Sequence, residues 1–175
     1  MLRHALKLHP ECRSDAVSRI AVEIARPSAG VLLLGYIVTG KPSDLSLPPV
    51  AASARADELW RHTCFEAFVQ PAGAAGYYEL NFAPSTQWAA YRFDRYREGM
   101  TAAEIAEPRL ETERTLHTYI LRAALTLPCE GALLLGLSAV IEEMNGGKSY
   151  WALAHPPGKP DFHHSDCFAL ELPAA

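Results

Sequence analysis

The sequence is short of the features that would tie it to nucleic acid, a membrane or an oxidising compartment. Lys and Arg number 16 against 20 Asp and Glu, a formal charge of -4 over 175 residues. Phosphate binding needs clustered Lys and Arg, so this balance makes no case for nucleic acid. No apolar run approaches the roughly 20 residues of a membrane-spanning helix; Val31–Leu34 is far too short. The opening MLRHALKLHPEC alternates apolar with basic or polar residues and has no hydrophobic h-region, so it reads as a first strand rather than a signal peptide. Cys12, Cys64, Cys129 and Cys167 are widely spaced and form no CxxC pair. Without an export signal the expectation is a reducing, cytoplasmic compartment and four free thiols. Cys64 and Cys167 fall in expected strands, where a thiol behaves as a small hydrophobe.

Catalytic signatures are scarce as well. There is no Gly-x-Ser-x-Gly, no phosphate-cradling glycine loop and no Cys–His signature. His155, Asp161, His163 and His164 are ligand types for zinc or iron. No HxH, HExxH or Cys–His spacing links them, and they read as loop residues with ordinary hydrogen bonds, giving no metal site. Haem needs axial side chains from two sides of a pocket. Met100, Met144 and several His are available, but nothing ties a pair together. The reading leans towards a binding protein without a cofactor rather than an enzyme.

What the chain does have is alternation. Its 49% hydrophobic and 21% charged residues are ordinary for a soluble globular protein. The length suits one domain spanning 1–175. Leu2–Leu8, Val17–Arg26 and Val31–Thr39 read as strands, the last apolar on both faces like a central strand. Gly40–Arg55 is a long Pro- and Ser-rich connection, with Leu45 and Leu47 able to pack down. Thr101 and Glu104 suggest a capping box for a short helix in TAAEIAEP, stopped by Pro108. Thr115–Leu127, Ala132–Ile141, Lys148–His155 and Cys167–Leu172 read as further strands, with a turn at Asn145-Gly146-Gly147. Nine or ten short strands and almost no helix predict an all-β fold, an antiparallel β-sandwich.

The stretch Leu59–Met100 holds three of those strands, joined by PAGAAG and APST. Successive side chains on a strand point to opposite faces. A meander of the three is expected to place Glu66, Glu79, Asn81, Trp88 and Arg92 on one face. Carboxylate, amide and guanidinium beside an aromatic plane supply what a sugar needs, donors and acceptors for hydroxyls and an apolar surface for the ring. The plainer alternative is cross-strand pairing of Glu66, Glu79 and Arg92 on a solvated face. Of the three Trp, Trp88 and Trp151 are favoured as platforms, because Trp60 precedes a strand amid charged residues. Glu66 and Glu79 are also a carboxylate pair of the kind a glycoside hydrolase uses, which makes hydrolysis an alternative.

LW..TCFEAF, GYYELNFAPSTQWAAYRF and GKSYWALAHPPGKPDFH together resemble the DOMON-like domains of bacterial proteins, which are related to the carbohydrate-binding modules of family 9. The resemblance covers most of the chain and is clearest over Leu59–Tyr96 and Ala132–Leu172. It implies a two-sheet sandwich with a ligand site on one sheet. Members of the wider group bind sugars or haem, so it implies a binding module for a carbohydrate-like small molecule, with haem as the alternative ligand. Sugar modules use aromatic planes with a Glu, an Arg and an amide; the candidates here are Trp88, Trp151, Glu66, Arg92 and Asn81, with Glu79 beside them.

Overall fold

A computed structural model describes residues 1–175, and its order follows the alternation of the sequence. Twelve strands form: β1 (Leu2–Leu8), β2 (Val17–Ser28), β3 (Val31–Gly40), β4 (Cys64–Pro71), β5 (Tyr77–Phe82), β6 (Trp88–Phe93), β7 (Thr101–Ala102), β8 (Arg109–Arg114), β9 (Thr118–Thr126), β10 (Leu133–Glu142), β11 (Lys148–Ala152) and β12 (Leu170–Leu172). The helical content is three single 3-10 turns, Pro42–Asp44, Leu59–Arg61 and Ser165–Cys167.

Every strand pair is antiparallel. One sheet runs β7-β6-β5-β4-β10-β11 and the other β1-β2-β3-β9-β8, with β12 on the first half of β10. β1 carries the chain of hydrogen bonds from one sheet to the other. Its Leu2–Leu6 pairs with β2, and Lys7 and Leu8 pair with Ala152 and Trp151 of β11. The result is a curled antiparallel β-sandwich.

The core lies between the two inner faces. Ile20, Val22 and Ile24 of β2 and Leu32, Leu34 and Val38 of β3 meet Phe65, Val69 and Leu80 of the facing sheet. Leu133, Leu135, Leu137, Ala139 and Ile141 form the unbroken apolar face of β10 that the period-2 pattern predicts. Tyr36 is fully buried among them, and its hydroxyl donates to the Glu66 carbonyl at 2.6 Å, which satisfies the phenol and ties the sheets together.

Four local expectations are corrected. TAAEIAEP forms no helix: Thr101 and Ala102 pair with Arg92 and Tyr91, and Ala103 N–H donates to Ala90 O at 2.9 Å. The free edge of β6 needs partners for its backbone groups, and that demand overrides a weak local helix preference. β3 buries one face only, since Leu33 is 37% exposed on the other. Cys167 lies in a 3-10 turn, so the last strand shortens to Leu170–Leu172. β8, whose residues are almost all charged or polar, carries no apolar alternation and was not foreseen.

Candidate ligand-binding cleft

The register of the central meander decides which side chains share the outer face of its sheet, because directly paired residues point the same way. Glu66 pairs with Asn81 and with Ser138, and Phe68 pairs with Glu79. Glu79 in turn pairs with Tyr91, Tyr77 with Phe93, and Val140 with Tyr150. These residues make one face. Glu66, Glu79 and Asn81 do come together on it.

Trp88, Arg92 and Trp151 do not. Trp88 pairs with Phe82 and Arg92 with Tyr78, so β6 presents the opposite parity to the one expected. The cause is the length of the β5–β6 connection. Five residues, 83–87, close the turn through Ala83 N–H to Gln87 O, with Thr86 at φ 69. An odd loop pairs Phe82 with Trp88, and one residue more or less would have reversed every side chain on β6. Trp88 is therefore in the core, 4% exposed, with the Arg55 guanidinium 4.3 Å above its ring. Trp151 pairs with Ala139 and packs in the same core, its indole N–H donating to Ser149 Oγ at 2.9 Å. Arg92 is exposed beyond the edge of that core.

The tryptophan on the site side is Trp60, 48% exposed on the 3-10 turn Leu59–Arg61. It borders a cleft of about 810 Å³ over the outer face. Glu66 and Glu79 line its floor, with Phe68, Tyr91, Phe93 and Tyr150 around them. Three loop segments complete the wall: Asp57–Arg61, the β6–β7 loop through Arg97 and Met100, and Pro160–His163. Tyr91 and Phe93 share the face of β6 opposite to Trp88. They are buried, but under these loops rather than between the sheets.

Hydrogen bonds organise the floor. Asn81 Nδ2 donates to Glu79 Oε1 at 2.9 Å, and His163 Nε2 faces Glu79 Oε2 at 3.5 Å. Arg97 N–H donates to the Tyr77 oxygen at 3.1 Å, and that oxygen lies 2.8 Å from His163 Nδ1. The phenol proton then points to Nδ1, which leaves the imidazole proton on Nε2, towards Glu79. Asp161 anchors the rim by accepting from Tyr96 (2.5 Å), Arg97 (2.8 Å) and the His163 N–H (3.1 Å). Arg97 reaches its two partners from a left-handed backbone, φ 54, and Glu58 at the other end of the wall has φ 60. Each such residue costs roughly 1–2 kcal/mol, so the surrounding contacts hold both in place.

Burial sets the charge states. Glu66 is pushed well above the ordinary carboxyl range, first by desolvation and then by the charge of Glu79. Glu79 is raised by desolvation too, held back by the Asn81 hydrogen bond and by Arg97. His163 is lowered to about 4 by desolvation and by Arg97. Desolvation would raise Asp161, but hydrogen bonds from Tyr96 and Arg97 outweigh it and keep it low. The other loop histidines lie apart from this group: His155 stacks edge-on with His9, and His164 caps the Ser165–Cys167 turn.

No family model matches the sequence, and no curated protein matches it. Solved structures share its architecture. One is a candidate carbohydrate-binding protein from Bacteroides uniformis, with a TM-score of 0.70 at 15% identity over 96% of this chain and 84% of that one. Another is a family 9 carbohydrate-binding module from Caldicellulosiruptor kristjanssonii in complex with cellotriose, with a TM-score of 0.54 at 14% identity over 90% of this chain and 74% of that one. The same organism's family 9 module in complex with glucose gives 0.50 at 14% identity, over 85% and 72%. The chain has the fold of these modules. At such identity the likeness extends to the backbone arrangement and leaves the site to be argued from its own residues.

Proposed function

We propose that the chain is a non-catalytic binding protein of the DOMON and family 9 kind, and that it takes a sugar or sugar-like small molecule in the cleft over β4, β5 and β6. The observation that carries this reading is the cleft's composition. Buried, hydrogen-bonding Glu66 and Glu79, supported by Asn81, lie at the base of a cavity walled by aromatic rings. Fixed polar groups beside apolar planes are what a polyhydroxylated ring requires. In this reading Trp60 supplies the stacking plane that Trp88 and Trp151, both packed in the core, cannot. The fold shared with sugar-complexed modules supports the ligand class.

Isothermal titration across mono- and disaccharides tests it. Glu79→Ala and Trp60→Ala should each weaken binding by about 1–3 kcal/mol, from a lost acceptor and a lost stacking surface. Arg92→Ala should leave affinity unchanged. Unaltered affinity in both cleft variants would remove this site, and no heat with any sugar would remove the ligand class.

One observation keeps hydrolysis as a second reading: two buried carboxylates face one cleft, and the more strongly raised of them, Glu66, would be the acid. Release of aglycone from aryl glycosides, lost in Glu66→Gln, would favour it. Haem fits the residues less well. His163 has Nδ1 bonded to Tyr77 and Nε2 turned to Glu79, and two buried carboxylates on the floor oppose an apolar macrocycle.

A further inference from the structure

The floor of the cleft has acceptors without donors. Glu66 is 3% exposed, and its Oε2 receives only a long 3.5 Å hydrogen bond from Ser138 Oγ. Its Oε1 receives none from the protein and is open to the cleft rather than sealed. Asn81 lies sealed beneath the pair, outside the cleft lining, with its Nδ2 committed to Glu79 Oε1. Buried acceptors of this kind are rarely left unpaired.

The floor also has two carboxyl groups without a positive partner. Burial raises the pKa of both, Glu66 the more strongly, so that a cation seated there would favour their ionised form. Each basic side chain of the cleft is engaged elsewhere. Arg61 pairs with Glu58 at 2.7 Å, Arg97 pairs with Asp161 at 2.8 Å, and Lys148 Nζ bonds the Arg61 carbonyl. Arg97 acts on Glu79 through its field alone, and His163 stays neutral until about pH 4. A buried carboxylate is ordinarily matched by a cation or a metal. No three His, Cys, Asp or Glu side chains converge to hold a metal ion.

We infer that the group seated on the floor is a protonated amine, so that the cleft selects ammonium-bearing sugars over neutral ones. This rests on the sugar-binding reading above and narrows it. An ammonium carries three N–H donors and a compact positive charge, whereas a hydroxyl brings one donor and no charge. Those donors match the carboxyl groups of Glu66 and Glu79, both of which line the cleft. The aromatic lining adds to the preference, since rings such as those of Tyr91 and Tyr150 attract a cation as well as a sugar ring. The base of the cleft thus offers carboxyl groups that a cation would ionise, while its salt-bridged bases lie at the rim, where sugar hydroxyls need both donors and acceptors.

The test is titration of the full chain with glucosamine, glucose and N-acetylglucosamine at near-neutral pH. Glucosamine should bind about tenfold more tightly than glucose, and acetylation, which removes the charge, should cancel the gain. Glu79→Gln and Glu66→Gln should each abolish the advantage of glucosamine over glucose, read as the ratio of the two affinities, with circular dichroism confirming the fold. Equal affinity for glucose and glucosamine would overturn this inference and leave the sugar reading standing. Absence of binding by all three would overturn both. Ethanolamine binding as tightly as glucosamine would uphold the ammonium site and remove the sugar specificity. Binding of calcium alone, abolished in both variants, would replace the ammonium by a divalent cation and overturn the proposal.

Discussion

The outer faces of the two sheets carry similar residue types and treat them in opposite ways. On the β1-β2-β3-β9-β8 sheet, Arg3 pairs with Glu23, Arg109 with Glu111 and Arg122 with Glu113, and every one of these side chains is at least 36% exposed. Water solvates both partners, and such pairs contribute about 0–1 kcal/mol each. On the β7-β6-β5-β4-β10-β11 sheet, Glu66 and Glu79 lie under loops at 3% and 6% exposure with no basic partner in direct contact beyond a neutral histidine. Burying them costs free energy. A face that spends stability to keep carboxyl groups under loops is what the proposed binding role calls for.

The comparison can be broken or sharpened by substitution. The largest effect is expected from Trp88→Ala, which should destabilise the fold by about 3–5 kcal/mol, because the ring fills the core between the sheets. Urea unfolding measures it, and a loss below about 1 kcal/mol would return Trp88 to the surface.

Glu66→Gln should act in the other direction and depend on pH. The unfolded chain releases the Glu66 proton near the usual 4.5, while the folded protein retains it to well above that value. Stability from this group is therefore complete below about 4.5 and is lost as pH rises towards the folded-state value. The substitution should stabilise the protein by about 1–3 kcal/mol near pH 8 and do little near pH 4. Equal effects at both values would show that Glu66 is not desolvated.

His163→Gln isolates the opposing limb. The unfolded imidazole takes up a proton near 6.5, the folded one only near 4, so stability falls as pH drops between these values. Removing the histidine should relieve about 1–2 kcal/mol of that loss near pH 4.5, read as a flatter plot of melting temperature against pH. The smallest effect belongs to the solvated face. Arg122→Ala should change stability by less than about 0.5 kcal/mol, and a larger change would mean that this face is also organised for contact.

Much of the fold could be read from alternation. Leu133 to Ile141 announced a core-facing strand, Ile20, Val22 and Ile24 another, and Asn145-Gly146-Gly147 the turn after β10. Short apolar periods report on burial of one face, and a sandwich is built from such faces. The sequence also placed Glu66, Glu79 and Asn81 on a common face, since β4 and β5 pair in the register that parity suggests.

The sequence could not say which face of β6 joins them. Trp88 and Ala90 alternate with Ala89, Tyr91 and Phe93, and both sets are buried, so hydropathy does not separate them. The five-residue loop decides, through hydrogen bonds that exist only once β5 and β6 are paired. Trp60, Asp161 and His163 were noticed in the sequence but set aside, and Arg97 was not singled out, for a related reason. They sit in loops far apart in the chain, and a strand pattern says nothing of where a loop folds back. Period and composition are local and therefore determined the sandwich, most of its strands and the face shared by the two acids. The cleft is a product of long-range contacts: loop closure brings Arg97 to Tyr77 and Asp161, places His163 over Glu79, and buries a carboxyl pair without a basic partner.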